Sequence, residues 1–185
     1  MHNSAVFSLI SQLFVEQDQD TYEELTSYTN WQDFLSSESL DTALIQALEK
    51  PLTYEEHASF CRKHFVGGLP CSAMPVESLY EHSIHASKQG ATYLNSSAQY
   101  MKDLISSMGL NLPQEFHAFP DHLSLECDMY AMLCEAHLTD EASTFLHERF
   151  VWLESYRQHL ETLSDESASF FCNLISVLIN SINCN

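Results

Sequence analysis

Basic residues are scarce. Seven Lys and Arg stand against 26 Asp and Glu, a formal net charge of −19. A surface of that sign repels phosphate backbones and anionic lipid, so neither nucleic-acid binding nor stable membrane association is expected. Chain breakers are scarce too: 4 Gly and 5 Pro in 185 residues leave little for a turn-rich β architecture. The six cysteines form no C-x-x-C pair, and Cys127, Cys134 and Cys172 fall in apolar helical runs. They are expected to be reduced thiols packed as small hydrophobes, as in a cytosolic protein. The longest apolar run, FFCNLISVLINSI, is too short and too interrupted by Asn and Ser to span a bilayer. The opening MHNSAVFSLISQLFVEQ has no basic stretch and no cleavage site, so no signal peptide is expected and the chain should stay in the cytoplasm.

Catalytic signatures are missing as well. There is no phosphate loop, no G-x-S-x-G, and no spacing that pairs a nucleophile with a base, so the chain is not expected to be an enzyme. His82 and His85, beside Glu81, have a spacing that can bind a metal on a helix, but no third ligand lies near, and neither metal nor cofactor is expected.

A hydrophobic content of 45% with 18% charged residues marks a chain that folds around a real core. Long helical periodicities predict an all-α, multi-helix bundle. Helices are expected at residues 4–16, then roughly 20–29, 31–36 and 39–48. Thr53 stands three before Glu56, a capping-box spacing that starts a helix running to Phe65, where Gly67 and Gly68 stop it. After a Pro-bounded loop at 68–83, helices are expected at about 91–108, which Gly109 ends, then at 121–138, 140–162 and 165–183, with Thr139 and Ser164 as N-caps of the last two. The loop at 109–120 divides one domain, residues 1–185, into an N-terminal part, roughly 1–108, and a smaller C-terminal part, 121–185, for which it is the candidate hinge.

The segment FPDHLSLECDMYAMLCE, residues 119–135, carries the most information. On a helical wheel Ser124, Asp128 and Glu135 fall in a polar strip about 40° wide, and nearly everything else is apolar. This helix should be central. Glu126 lies opposite the strip, where a carboxylate needs partners. His122, one turn before it, is one candidate and a loop N–H another. Asp121, after Pro120, reads as a helix cap, and His122 alone reads as a structural histidine. Together, a cap acid, a histidine and an inward glutamate beside a long loop mark a corner where a cationic or hydrogen-bonding ligand can sit. Upstream, PVESLY at 75–80 groups Glu77, Ser78 and Tyr80. Leu79 and Tyr80 either dock a turn onto the core, with Ser78 capping it, or form one wall of a groove.

These residues resemble a known family. Pro120-Asp121-His122-Leu123, followed by Glu126-Cys127-Asp128-Met129-Tyr130-Ala131-Met132-Leu133-Cys134, resembles the PDHL…E-L-E-F-M-A-x-L signature of the TorD/DmsD/NarJ redox-enzyme maturation chaperones. Pro75-x-Glu77-Ser78-x-Tyr80 resembles a second, shorter motif of that family. Cys127 stands where Leu is usual and Asp128 where Glu is usual, and Trp31 and Trp152 lie away from the first motif. The resemblance implies a TorD-like helical fold. It implies a chaperone that binds the N-terminal, twin-arginine signal of a molybdenum-cofactor oxidoreductase subunit and assists cofactor loading, folding and export. Its partners would be the client catalytic subunit and its signal peptide, and its state a monomer or a helix-swapped dimer. Carried over by motif, the peptide site comprises Glu77, Ser78, Tyr80, Pro120, Asp121, His122 and Glu126. The competing expectation is an acidic helical adaptor or scaffold that binds another basic protein segment without depending on that corner.

Overall fold

The computed structural model describes residues 4–37, 40–80 and 96–183. They form ten α-helices and no strand: α1 (Ser4–Leu13), α2 (Gln19–Leu25), α3 (Tyr28–Leu35), α4 (Thr42–Ala47), α5 (Tyr54–His64), α6 (Ser96–Ser107), α7 (Leu123–Glu135), α8 (Thr139–Arg149), α9 (Leu153–Glu161) and α10 (Ala168–Asn183). Single 3-10 turns occur at Glu77–Leu79 and Gln114–Phe116. The fold is the all-α bundle expected. Glu81, His82, His85, Cys184 and the first residues of the helix expected from 91 lie outside the described residues.

Local chemistry sets many of the helix ends. The Thr53–Glu56 capping box is formed in both directions, and the last turn of α5 carries Arg62 and Lys63, cations at the negative end of the helix dipole. Asp18 and Asp41 cap α2 and α4 through their side chains. Gly109 follows α6 with φ +73°, and Leu110 N–H returns to Ile105 C=O at 3.1 Å, a left-handed stop that glycine adopts without strain. His137 makes the same stop after α7 with φ +58°, which ends that helix before the expected residue 138.

Three further expectations are corrected. The helix expected at 140–162 is two helices, broken around Phe150–Trp152. Phe150 and Trp152 are both fully buried while Val151 is exposed. Two positions on a straight helix lie about 200° apart, so one continuous helix would aim one of those rings at water. Thr139 is the first helical residue rather than the cap, and the last helix starts at Ala168, where Asp165 rather than Ser164 accepts the Ser167 N–H.

α7 is central and packs along α1, with Phe7 4.3 Å from Tyr130 ring to ring. α8 covers α7, while α9 packs on α10, which also meets α4. Phe171 of α10 stacks on Phe60 at 4.3 Å and meets Phe14 edge-on at 5.4 Å. The buried cluster runs from Val6 to Leu178 and draws on both sides of 109–120. Cys61, Cys71, Cys127, Cys134 and Cys172 are free thiols. Among the described residues, no helix is long and apolar enough to cross a membrane, and no three His, Cys, Asp or Glu gather as a metal-binding group.

Candidate functional site

The two motif segments, more than forty residues apart, pair with each other. Val76 and His122 form an isolated antiparallel bridge. Glu77 N–H donates to Asp121 C=O at 3.0 Å, and Leu123 N–H donates to Pro75 C=O at 2.8 Å. The Asp121 carboxylate adds a third bond, accepting from Ser78 N–H at 2.8 Å. Asp121 is therefore not the cap of α7. His122 is, its Nδ1 accepting the Ser124 N–H at 3.2 Å. A ring nitrogen that accepts carries no proton, and burial pushes the His122 pKa down to about 4. The Phe116 ring lies 5.1 Å from it.

Glu126 is wholly buried on the first turn of α7. Its partner is neither His122 nor a loop N–H, as was expected. Trp152, at the break between α8 and α9, donates its indole N–H to Oε2 at 3.2 Å. The other side of the carboxyl faces Glu77. Burial, then the charge of Glu77, a hydrogen bond shared with it and the charge of Asp121 hold the Glu126 pKa well above the usual carboxyl range, against the indole bond. The neutral form of Glu126 is thus favoured beside Glu77, because two like charges in a dry site repel each other. Among the described residues, the cation beside the cluster is Arg149, whose guanidinium reaches Glu77 at 3.4 Å and Ser97 Oγ at 3.2 Å and lies 5.0 Å over the Tyr100 ring.

Tyr80 docks the 3-10 turn. Its ring stacks on Trp152 at 5.6 Å, and its hydroxyl sits 3.0 Å from His159 Nδ1. Leu79 instead faces outward, half exposed. Of the seven candidate residues, Glu77, Ser78, Pro120, Asp121, His122 and Glu126 are buried and Tyr80 is partly so. They are brought together as the joint between the 75–80 turn and α7.

An open cleft of about 370 Å³ lies nearby, lined by Tyr100, Leu104, Leu133, Phe145, Thr144, Asp140 and Glu141. Its floor is apolar and its lip, on the first turn of α8, is acidic. Leu133 stands seven residues after Glu126 on α7, which puts both on nearly the same face. Tyr100 borders the cleft and carries Arg149.

Reading the chain alone misses Arg149, Trp152, Tyr100, His159 and the cleft. One signal was available: Glu141, Phe145 and Arg149 recur every fourth residue, a single helical stripe.

A family model described as nitrate reductase delta subunit matches residues 18–165 and so spans both motif segments and the joint they form. The chain belongs to that family. Its members are the NarJ/TorD-like chaperones of molybdoenzyme maturation, and the helical bundle described above is consistent with that membership. No curated protein and no solved structure gave a match.

Proposed function

We propose that this NarJ/TorD-like chaperone binds the N-terminal, twin-arginine signal of a molybdenum-cofactor oxidoreductase subunit in the cytoplasm. It holds the subunit while cofactor is loaded and the client folds, ahead of export, and does no catalysis itself. Family membership supports the class of function. The observation that carries the peptide reading is the cleft, with an apolar floor of Leu104, Leu133 and Phe145 and a lip of Asp140 and Glu141. A twin-arginine leader is complementary to it: guanidinium groups donate charge-assisted bonds to carboxylates, and an apolar helix fills a greasy groove. Glu77, Ser78, Pro120, Asp121, His122 and Glu126 serve this site as its frame, fixing the 75–80 turn against α7, while Tyr80 gives the frame a partly open edge. The 109–120 segment, whose Phe116 rests on His122, is the hinge between 1–108 and 121–185.

The burial of the Asp121–His122–Glu126 corner favours a second reading, an acidic adaptor that grips any basic segment by charge alone. Calorimetry with a synthetic leader carrying two arginines before an apolar stretch, and with its Lys-Lys counterpart, separates the two. A site that reads the planar fork of arginine should bind the Lys-Lys version about tenfold more weakly. Equal affinities would leave the adaptor.

A further inference from the structure

Arg149 is one of only seven Lys and Arg in the chain, and it is turned inward. Glu141, Phe145 and Arg149 follow one another at four-residue steps along α8, a stripe about 12 Å long. The first two line the cleft, and the third ends the stripe beside the cleft wall Tyr100. We infer that Arg149 is an internal stand-in for a client's arginine: its guanidinium occupies the seat between Tyr100 and Glu77, and it must swing out before a client guanidinium can take that place. This rests on the peptide-binding reading above and adds to it how the site is held shut.

Three observations carry the inference. The seat is built for a guanidinium, with an aromatic face beneath and a carboxylate that is 2% exposed at its edge. The present occupant fills it poorly. One nitrogen serves both Glu77, at a long 3.4 Å, and Ser97, at 3.2 Å, while the buried Nε has no hydrogen-bond partner among the described residues. A buried N–H left unpaired opposes the arrangement that holds it. Finally, the Arg149 side chain is 20% exposed, so part of it is open to water. A guanidinium arriving along the acidic lip can take the Tyr100 face and the Glu77 carboxylate as Arg149 leaves them. A lysine cannot reproduce the exchange, because it has no planar face to lay on Tyr100 in the same way.

A seat occupied most of the time by its own arginine lowers the apparent affinity for a client by the fraction of molecules in which it is vacant. Removing the occupant removes that penalty. The test is calorimetry of the full chain with the synthetic twin-arginine leader and its Lys-Lys counterpart, comparing wild type, Arg149→Gln and Arg149→Lys. Arg149→Gln should tighten the twin-arginine leader about tenfold, Arg149→Lys by less, and neither should tighten the Lys-Lys peptide comparably. Unchanged or weaker binding to Arg149→Gln, with its helical circular dichroism intact, overturns the inference. Should the substitution unfold the chain, the wild type still decides. In nitrogen-15 spectra the Arg149 Nε–H signal, assigned by its absence from Arg149→Lys, should move to solvent-exchanging behaviour when the leader saturates the protein. A signal unmoved at saturation overturns the proposal. If no version binds the leader, the inference falls together with the peptide reading. If the wild type binds and Arg149→Gln binds no better, the stand-in alone falls.

Discussion

The indole N–H of Trp152 donates to the buried carboxyl of Glu126 at 3.2 Å, closing the break between α8 and α9 onto the first turn of α7. That bond joins two residues that the chain separates by twenty-six positions. It also makes the break and the acid mutually dependent.

Trp152→Phe should keep the stacking on Tyr80 and lose the donor. Leaving Glu126 with one partner fewer in a dry site should cost about 1–3 kcal/mol in urea denaturation. Trp152→Ala removes the ring as well and should cost about 3–5 kcal/mol. A Phe variant as stable as wild type would mean that the indole bond contributes nothing.

Burial and the charge of Glu77 hold the Glu126 pKa well above the usual carboxyl range, so its sign is that of a raised pKa. The stability it contributes is whole below the ordinary glutamate range and is lost as pH rises through its folded-state value. Glu126→Gln keeps an acceptor for Trp152 and a neutral group facing Glu77. Unfolding midpoints of the variant should therefore be flatter across neutral to alkaline pH, and at about pH 8 the variant should exceed wild type by about 1 kcal/mol or more. Parallel profiles would show that Glu126 ionises normally.

His122 has the opposite sign. With its folded pKa lowered to about 4 from 6.5, its contribution is full above 6.5 and lost as pH falls through 4, by up to about 3 kcal/mol. His122→Asn keeps a side-chain acceptor for the Ser124 N–H and removes the titration, so it should erase that acid slope at a cost of about 1 kcal/mol or less near neutrality. An acid slope that persists in the variant would assign it to other groups.

Asp121→Ala cuts the bond to Ser78 N–H and should loosen the 75–80 turn, costing about 1–3 kcal/mol. If the corner frames the client site, leader affinity should fall as well. A folded variant with unchanged leader affinity in calorimetry removes the corner from the site.

Asp140→Asn with Glu141→Gln changes only the cleft lip. Both side chains are exposed at a helix N-terminus, so stability should drop by no more than about 1 kcal/mol, while leader binding weakens most at low salt. Affinity that ignores both the substitutions and the salt would rule out the lip as the site of charge recognition.

Much of the bundle is legible in the residues. Thr53 with Glu56 marks a helix start, Gly109 marks a stop, and the nearly unbroken apolar wheel of 123–135 marks a central helix, because capping, backbone freedom and burial periodicity all act within a few residues. The two motifs are legible too, and the family they resemble is the one whose model matches residues 18–165. The division of 140–162 is not, since periodicity treats Phe150 and Trp152 as residues of one helix, and nothing local says that both must be inside.

The sequence by itself determined the helical class, the central place of 123–135 and the scarcity of cations that makes each arginine conspicuous. Only the tertiary structure decided what those parts do to one another. It put His122 rather than Asp121 at the cap, gave Glu126 the indole of Trp152, and laid Arg149 on Tyr100 against Glu77. The reason is distance along the chain. Helix ends and faces are settled by neighbours a turn away, whereas the ionisation of a buried acid and the occupant of a cation seat are settled by whichever side chains the packing of separate helices brings within a few ångströms.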